Sequence, residues 1–196
     1  MTDNIIGSSY HNVHHFISQA KWSALEVNER RLQLMNRCNQ TRIRKNFALI
    51  IDDSGHRKSG NFTEGVGRQY IGEIGKTDNG VVIVTTHLDD GVRSLPLDVE
   101  LYQQSSSFPL GKDDKDFLEK PDIALKLVNK TIQRKYRPGI VLMDGGYGNN
   151  STFLKELMRN KESLIRHFIL VFTAYIAVLK WMRYRARTRA LYRARL

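Results

Sequence analysis

The stretch "FALIIDDSG", residues 47–55, decides how the rest of the chain is read. Five apolar residues run into Asp52 and Asp53 without a polar interruption. A run that is apolar on both faces is the pattern of a central strand covered on two sides. A second stretch has the same design: "GIVLMD", 139–144, predicts another short apolar strand that ends in Asp144. Placed side by side, the two strands bring their carboxylates close together. Close carboxylates repel and raise one pKa unless a divalent cation lies between them. Mg²⁺ prefers oxygen ligands and is commonly held by one or two carboxylates plus substrate phosphate. The residues alone leave a second use open at about even weight, because a strand-end Asp also caps the turn or helix that follows.

Working outward, residues 8–38 predict two helices, "SSYHNVHHFISQA" and "SALEVNERRLQLMNRC", the second opened by Ser23 and Glu26 at capping-box spacing. "TRIRKN", 41–46, is a polar connector. After "FALIID" come two strands, "RQYIGEIG" and "VVIVTTHL", joined by a turn at "KTDNG". "SLPLDVELY" is a fourth strand, which Pro96 confines to an edge or an irregular start. "SSSFPLGKDDKD", 105–116, is a polar loop. "PDIALKLVNKTIQRKY" predicts a helix with Ile123, Leu127, Val128 and Ile132 on one face. "GGYGNN" reads as a loop and "STFLKELMRN" as a helix capped by Ser151. "LIRHFILVFTAYIAVLKW" predicts an apolar helix before an arginine-rich end. Strands mixed with helices at this spacing indicate an α/β layer fold.

The net charge of +11 is unevenly spread. Residues 161–196 hold nine Lys/Arg and one acid, so most of the basic excess lies in the last 36 residues. A basic balance points to nucleic acid or an anionic membrane surface. The tail "KWMRYRARTRALYRARL" has three readings: phosphate binding through Arg183, Arg185 and Arg187 with aromatic stacking, binding of anionic lipid, or an end with no selected role. The longest apolar run, Phe168 to Leu179, is short for a membrane span and suits a buried helix. The single cysteine, Cys38, gives an oxidising compartment no support. With no basic, apolar leader at the start, a cytoplasmic location is expected and no membrane partner.

Two glycine patterns are incomplete. "GEIGKT", 72–77, lacks the leading glycine of a phosphate loop, where Tyr70 stands, and "GVGRQY" fails as a dinucleotide fingerprint at the same residue. His11, His14 and His15 can share a helix face, but no Cys or acid close in sequence completes a zinc site. Lys58, Arg68 and Lys76 flank the first carboxylates, where they can hold DNA phosphates or stand as solvated strand-edge charges.

Taken in order, "LIIDDSGHRKSGNFTEGVGRQYIGEIGKTDN", "PLDVELY", "KPDIALKLV" and "VLMDGGYGNNSTFLKEL" resemble the insertion-sequence DDE transposases of the DDE-superfamily endonuclease type. The resemblance spans about residues 44–160, and "HHFISQAKWS" resembles the family's N-terminal region less distinctively. It implies an RNase H-like mixed sheet flanked by helices over residues 46–162. A short helical N-terminal segment, 1–45, precedes that core, and an apolar helix with a basic tail, 163–196, follows it. It implies DNA as partner, both transposon ends and target, with the protein associated with the nucleoid. It further implies two Mg²⁺ or Mn²⁺ ions held by carboxylates for strand cleavage and strand transfer. Asp53, ahead of Ser54, and Asp144 match the family's first two ligands, with Asp52 in support. The family's third ligand is a Glu on a later helix, and after Asp144 the chain has only Glu156 and Glu162. The resemblance therefore implies an internal deletion near residues 160–163 and a truncated, catalytically incomplete copy. The alternative is a non-catalytic DNA-binding remnant that self-associates or modulates an intact transposase.

Overall fold

The computed structural model describes residues 9–159 and the backbone of His167–Phe168. The chain divides into two units, Met1–Arg42 and Ile43–Leu196. In the first, α1 (Tyr10–Ser18) and α2 (Ala24–Arg37) are each opened by a serine. The Ser9 hydroxyl accepts the Asn12 N–H, and Ser23 accepts that of Glu26, the bond its sequence spacing predicts. The Trp22 indole donates to the Phe16 carbonyl and its ring stacks on Phe16, which closes the link between the helices.

The second unit is built on a six-stranded mixed sheet among the described residues. Its long strands are β1 (Ala48–Arg57), β3 (Lys76–Asp89) and β4 (Ser94–Tyr102); β2 (Gly67–Ile71), β5 (Ile140–Met143) and β6 (His167–Phe168) are short. β3 runs antiparallel to β1, β2 and β4, and β5 runs parallel to β1. β6 lies parallel to β5 on its far side. Three antiparallel strands continued by parallel ones beyond the first is the RNase H-like arrangement. β5 is buried at every residue, as a central parallel strand must be.

α3 (Lys120–Gln133) buries Ile123, Leu127 and Val128, the stripe its sequence predicts, while Ile132 is half-buried. It lies on the face of the sheet that carries Leu49, Ile51, Val82, Val84 and Leu88. A charge clamp fixes it there: Lys130 and Arg134 both reach Asp98 on β4, whose side chain is only 2% exposed. α4 (Gly145–Gly148) and α5 (Ser151–Arg159) follow β5, and Phe153 and Leu157 of α5 are fully buried.

Four local expectations are corrected. The turn between β2 and β3 falls at residues 72–75, closed by Gly75 in the left-handed region (φ 65°), and "KTDNG" is instead the start of β3. The reason lies at Asn79 and Gly80. Asn79 spends its amide on the neighbouring loop, and a Cβ at Gly80 would sit 2.5 Å from the His56 carbonyl oxygen. Gly80 is thus a close approach of two strands and not a turn residue. "GGYGNN" begins as the short helix α4. α5 is capped by Asn150, whose side chain accepts the Phe153 N–H, so Ser151 lies inside the helix. At His167–Phe168, inside the stretch expected to be helical, the backbone is strand because it adds to the open edge of β5. The remainder of the predicted C-terminal helix, the tail and the expected junction at 160–163 lie outside the described residues. Among the described residues no helix is long and apolar enough to cross a membrane.

Candidate functional site

The parallel register of β1 and β5 sets the site. Ile51 pairs with Met143, so the next position on each strand is a carboxylate: Asp52 on one and Asp144 on the other. Asp144 ends its strand and also caps α4. Its Oδ1 accepts the N–H groups of Gly146 (3.0 Å) and Tyr147 (3.2 Å). The capping reading of this residue therefore holds, and Oδ2 takes no part in the cap. Asp52 accepts the Asp53 N–H at 2.8 Å. Although Asp52 is exposed as a residue, loss of water around its carboxyl raises its pKa. The Asp144 and Asp53 charges add to that rise, against the opposing effect of the Asp53 N–H and His87.

Strand alternation turns Asp53 to the opposite face, the one α3 covers. There its Oδ2 meets the Lys120 ammonium at 2.7 Å. Lys120 is the first residue of α3, where the helix dipole disfavours a cation. Asp53 offsets that cost, and the Tyr102 ring adds a cation–π contact at 5.6 Å. Tyr147 completes the group. It is 4% exposed, and its hydroxyl has no hydrogen-bond partner. Burial pushes its phenol pKa up, and the negative charges of Asp53, Asp144 and Asp52 push it further. An unpaired buried phenol among three carboxylates is an unusual arrangement, since buried hydroxyls are almost always paired.

This donor set suits a hard divalent cation in kind: all oxygen, mutually repelling, and relieved by positive charge. Mg²⁺ keeps several of its waters and needs few protein ligands. Among the described residues no cluster of three His, Cys, Asp or Glu side chains is arranged to hold a metal. Glu156, half-buried on α5, pairs with Arg159 at 2.8 Å. Glu162 lies outside the described residues.

The predicted cations separate. Lys58 donates its N–H to the Asn79 carbonyl, and Arg68 pairs with Asn79 from the other side. Lys58, Asn79 and Arg68 thus form one row across the sheet. Lys76 pairs with Ile71, which places it on the opposite face of the β2–β3 hairpin from Arg68. Arg183, Arg185 and Arg187 lie outside the described residues. The glycines at 72 and 75 frame a single three-residue turn followed by strand, so no helix N-terminus is offered to a phosphate.

Four residues of this region gave no sequence signal strong enough to single them out. Lys120 and Tyr147 sit inside motifs read for other residues. Asn79 is hidden in a dipeptide that looks like a turn, and Phe62 in a polar loop.

A family model described as DDE superfamily endonuclease matches residues 1–192 of the chain. A probable transposase for insertion sequence element IS701 from Microchaete diplosiphon is 34% identical over 179 residues, which cover 88% of this chain and 46% of that protein. The chain thus spans about half the length of the curated relative it matches. No solved structure matches it.

Proposed function

The chain belongs to the DDE superfamily endonuclease family, and we propose that it is built for metal-dependent cleavage and transfer of DNA strands in insertion-sequence transposition. The observation that carries this reading is the position of Asp52 and Asp144, each one step beyond the last paired residues of β1 and β5, Ile51 and Met143, where the charge of Asp144 raises the pKa of Asp52. These two would hold Mg²⁺ or Mn²⁺, with Asp53 beside them. The register favours Asp52 over Asp53 as the partner of Asp144. Ions bound there supply an activated water and stabilise the leaving oxygen of a phosphodiester. The chain's own residues prepare the place. The α4 cap fixes the Asp144 carboxylate, Lys120 orients Asp53 through its ion pair, and the carboxylates together create the negative field that draws in the cation.

Among the described residues no three acids are arranged to hold a metal, and, following the resemblance, in which the family's Glu is unmatched, we take the active unit to be incomplete in this chain. The test is incubation of the purified chain with DNA carrying the element's ends and Mg²⁺ or Mn²⁺. The expected result is metal-dependent thermal stabilisation of the protein that Asp52→Asn and Asp144→Asn each abolish, without efficient nicking. Efficient nicking that depends on Asp144 would overturn the incompleteness. Absence of any metal-induced shift would overturn the site.

A second reading is favoured by the Lys58–Arg68 row: a DNA-binding remnant that modulates an intact transposase by occupying ends or by forming mixed oligomers. It expects salt-sensitive DNA binding that survives Asp53→Ala and Asp144→Asn. Failure to retard DNA at low salt would remove it.

A further inference from the structure

The loop after β1, residues 58–66, is held in shape by one side chain. The Asn79 amide donates to the carbonyls of Lys58 (2.9 Å) and Gly60 (3.2 Å) and to the Asn61 side chain (3.2 Å). The loop ends this anchoring at Phe62, whose side chain is fully exposed. A single exposed apolar residue needs no explanation. This one comes with company. Tyr70, two positions along β2 from Arg68 and on the same face, is 60% exposed. Lys58 and Arg68 make no ion pair among the described residues, while the acids around them are engaged: Glu73 with His56, Asp78 with Arg57, and Glu64 with Gln103. Two cations outside any ion pair among the described residues and two exposed aromatic rings thus lie on the elements that Asn79 joins.

The patch is continuous with the acid site. By strand alternation Asp52, Ser54 and His56 lie on one face of β1 and are all exposed, and Lys58 follows directly after the strand's last residue, Arg57. Six residues of strand span about 20 Å, roughly six phosphate steps of a stacked DNA strand.

We infer that this hairpin and loop form a binding surface for unpaired DNA that adjoins the cleavage point, with bases stacked on Phe62 and Tyr70 and phosphates on Lys58 and Arg68. The inference rests on the reading that the chain acts on DNA. An intact duplex offers the two rings little, because its base faces are already stacked inside. A frayed or single-stranded segment presents them, and stacking on aromatic side chains beside a basic groove is how such strands are held. Asn79 acts here as a positioning residue for the loop.

The experiment measures binding of the full chain, by fluorescence anisotropy, to a labelled single-stranded oligonucleotide and to its duplex at several salt concentrations. The double variant Phe62→Ala/Tyr70→Ala is expected to lose roughly tenfold or more in single-strand affinity, with duplex affinity changed less than about twofold. Lys58→Gln/Arg68→Gln is expected to weaken both and to lower the salt slope. All four side chains lie outside the buried core, and unchanged melting temperatures would confirm that the variants fold. Undiminished single-strand binding by Phe62→Ala/Tyr70→Ala, or equal losses on both DNAs, overturns this inference and leaves the DNA reading standing. No binding of either DNA by the unaltered chain overturns both.

Discussion

Asp52 and Asp53 are neighbours in the chain, yet β1 sends them to opposite faces of the sheet, and the two faces differ throughout. On the face of Asp53, Leu49, Ile51, Val84 and Leu88 are sealed beneath α3, and Asp98 is matched by Lys130 and Arg134. The face of Asp52 begins buried, at Ala48, Ile140 and Leu142, then opens where the carboxylates start. Beyond that point its rungs, Asp52 with Thr85 and Ser54 with Ile83, are half-buried or exposed. The contrast shows a division of labour within one strand. Covered positions hold the fold together, and open ones leave charge at the surface.

Trading large for small side chains on each face tests their difference most directly. Leu49→Ala, at a fully buried position, is expected to cost about 3–5 kcal/mol in denaturant unfolding. Val99→Ala, on the open face and 59% exposed, should stay within about 0.5 kcal/mol. Similar losses at both would mean that the two faces are not distinct. Gly80→Ala comes next. Its Cβ meets the His56 backbone and the Ile71 side chain, and overpacking of this kind costs about 1–3 kcal/mol; an unchanged melting temperature would count against the close approach.

Two aspartates then sharpen the contrast through pH. Asp90 is fully buried in the turn between β3 and β4. Burial alone would raise its pKa, but the N–H groups of Arg44, Val92 and Arg93 and the Arg93 guanidinium together lower it. A lowered folded pKa stabilises the fold above the ordinary value near about 3.9, and this stability is lost as pH falls through the folded pKa. Asp90→Asn should therefore cost about 1–3 kcal/mol at pH 7 and less in acid, read from melting curves across pH. Asp52 has the opposite sign. Its raised pKa means that ionised Asp52 costs stability at neutral pH, and the cost fades as pH falls through that pKa. Asp52→Asn should raise the melting temperature at pH 7 by a small amount that shrinks towards acid. A lowered melting temperature would show that Asp52 is a structural acid like Asp90. A small effect is also expected at Asp53: its pair with Lys120 is about one-third exposed, so Asp53→Asn should cost no more than about 1 kcal/mol.

Much of this division was legible in the amino-acid order. The apolar runs before Asp52 and Asp144 mark central strands because only a doubly covered strand tolerates such a run. The stripe of Ile123, Leu127 and Val128 fixes the buried face of α3 for a similar reason. What the sequence could not show is register. Whether Asp52 or Asp53 meets Asp144 depends on a one-residue choice in the β1–β5 pairing, and a shift of one flips every side chain. The same limit hid Asn79 and Gly80. Their residue types favour turns, and only the partner strand reveals that one anchors a loop and the other admits a crossing backbone. Lys120 and Tyr147 were illegible because their significance lies in charges distant in the chain.

The rung that joins β1 to β5 also has a consequence in time. Asp52 and Asp144 lie about ninety residues apart, and no local element brings them together. Parallel pairing over such a span must close a long loop before any contact compensates for the lost chain freedom, so it belongs to the slow part of folding. During synthesis β1, β2, β3 and β4 all emerge before β5. The antiparallel half of the sheet can therefore assemble while the acid pair does not yet exist. The two acids can meet only once β5 has been made.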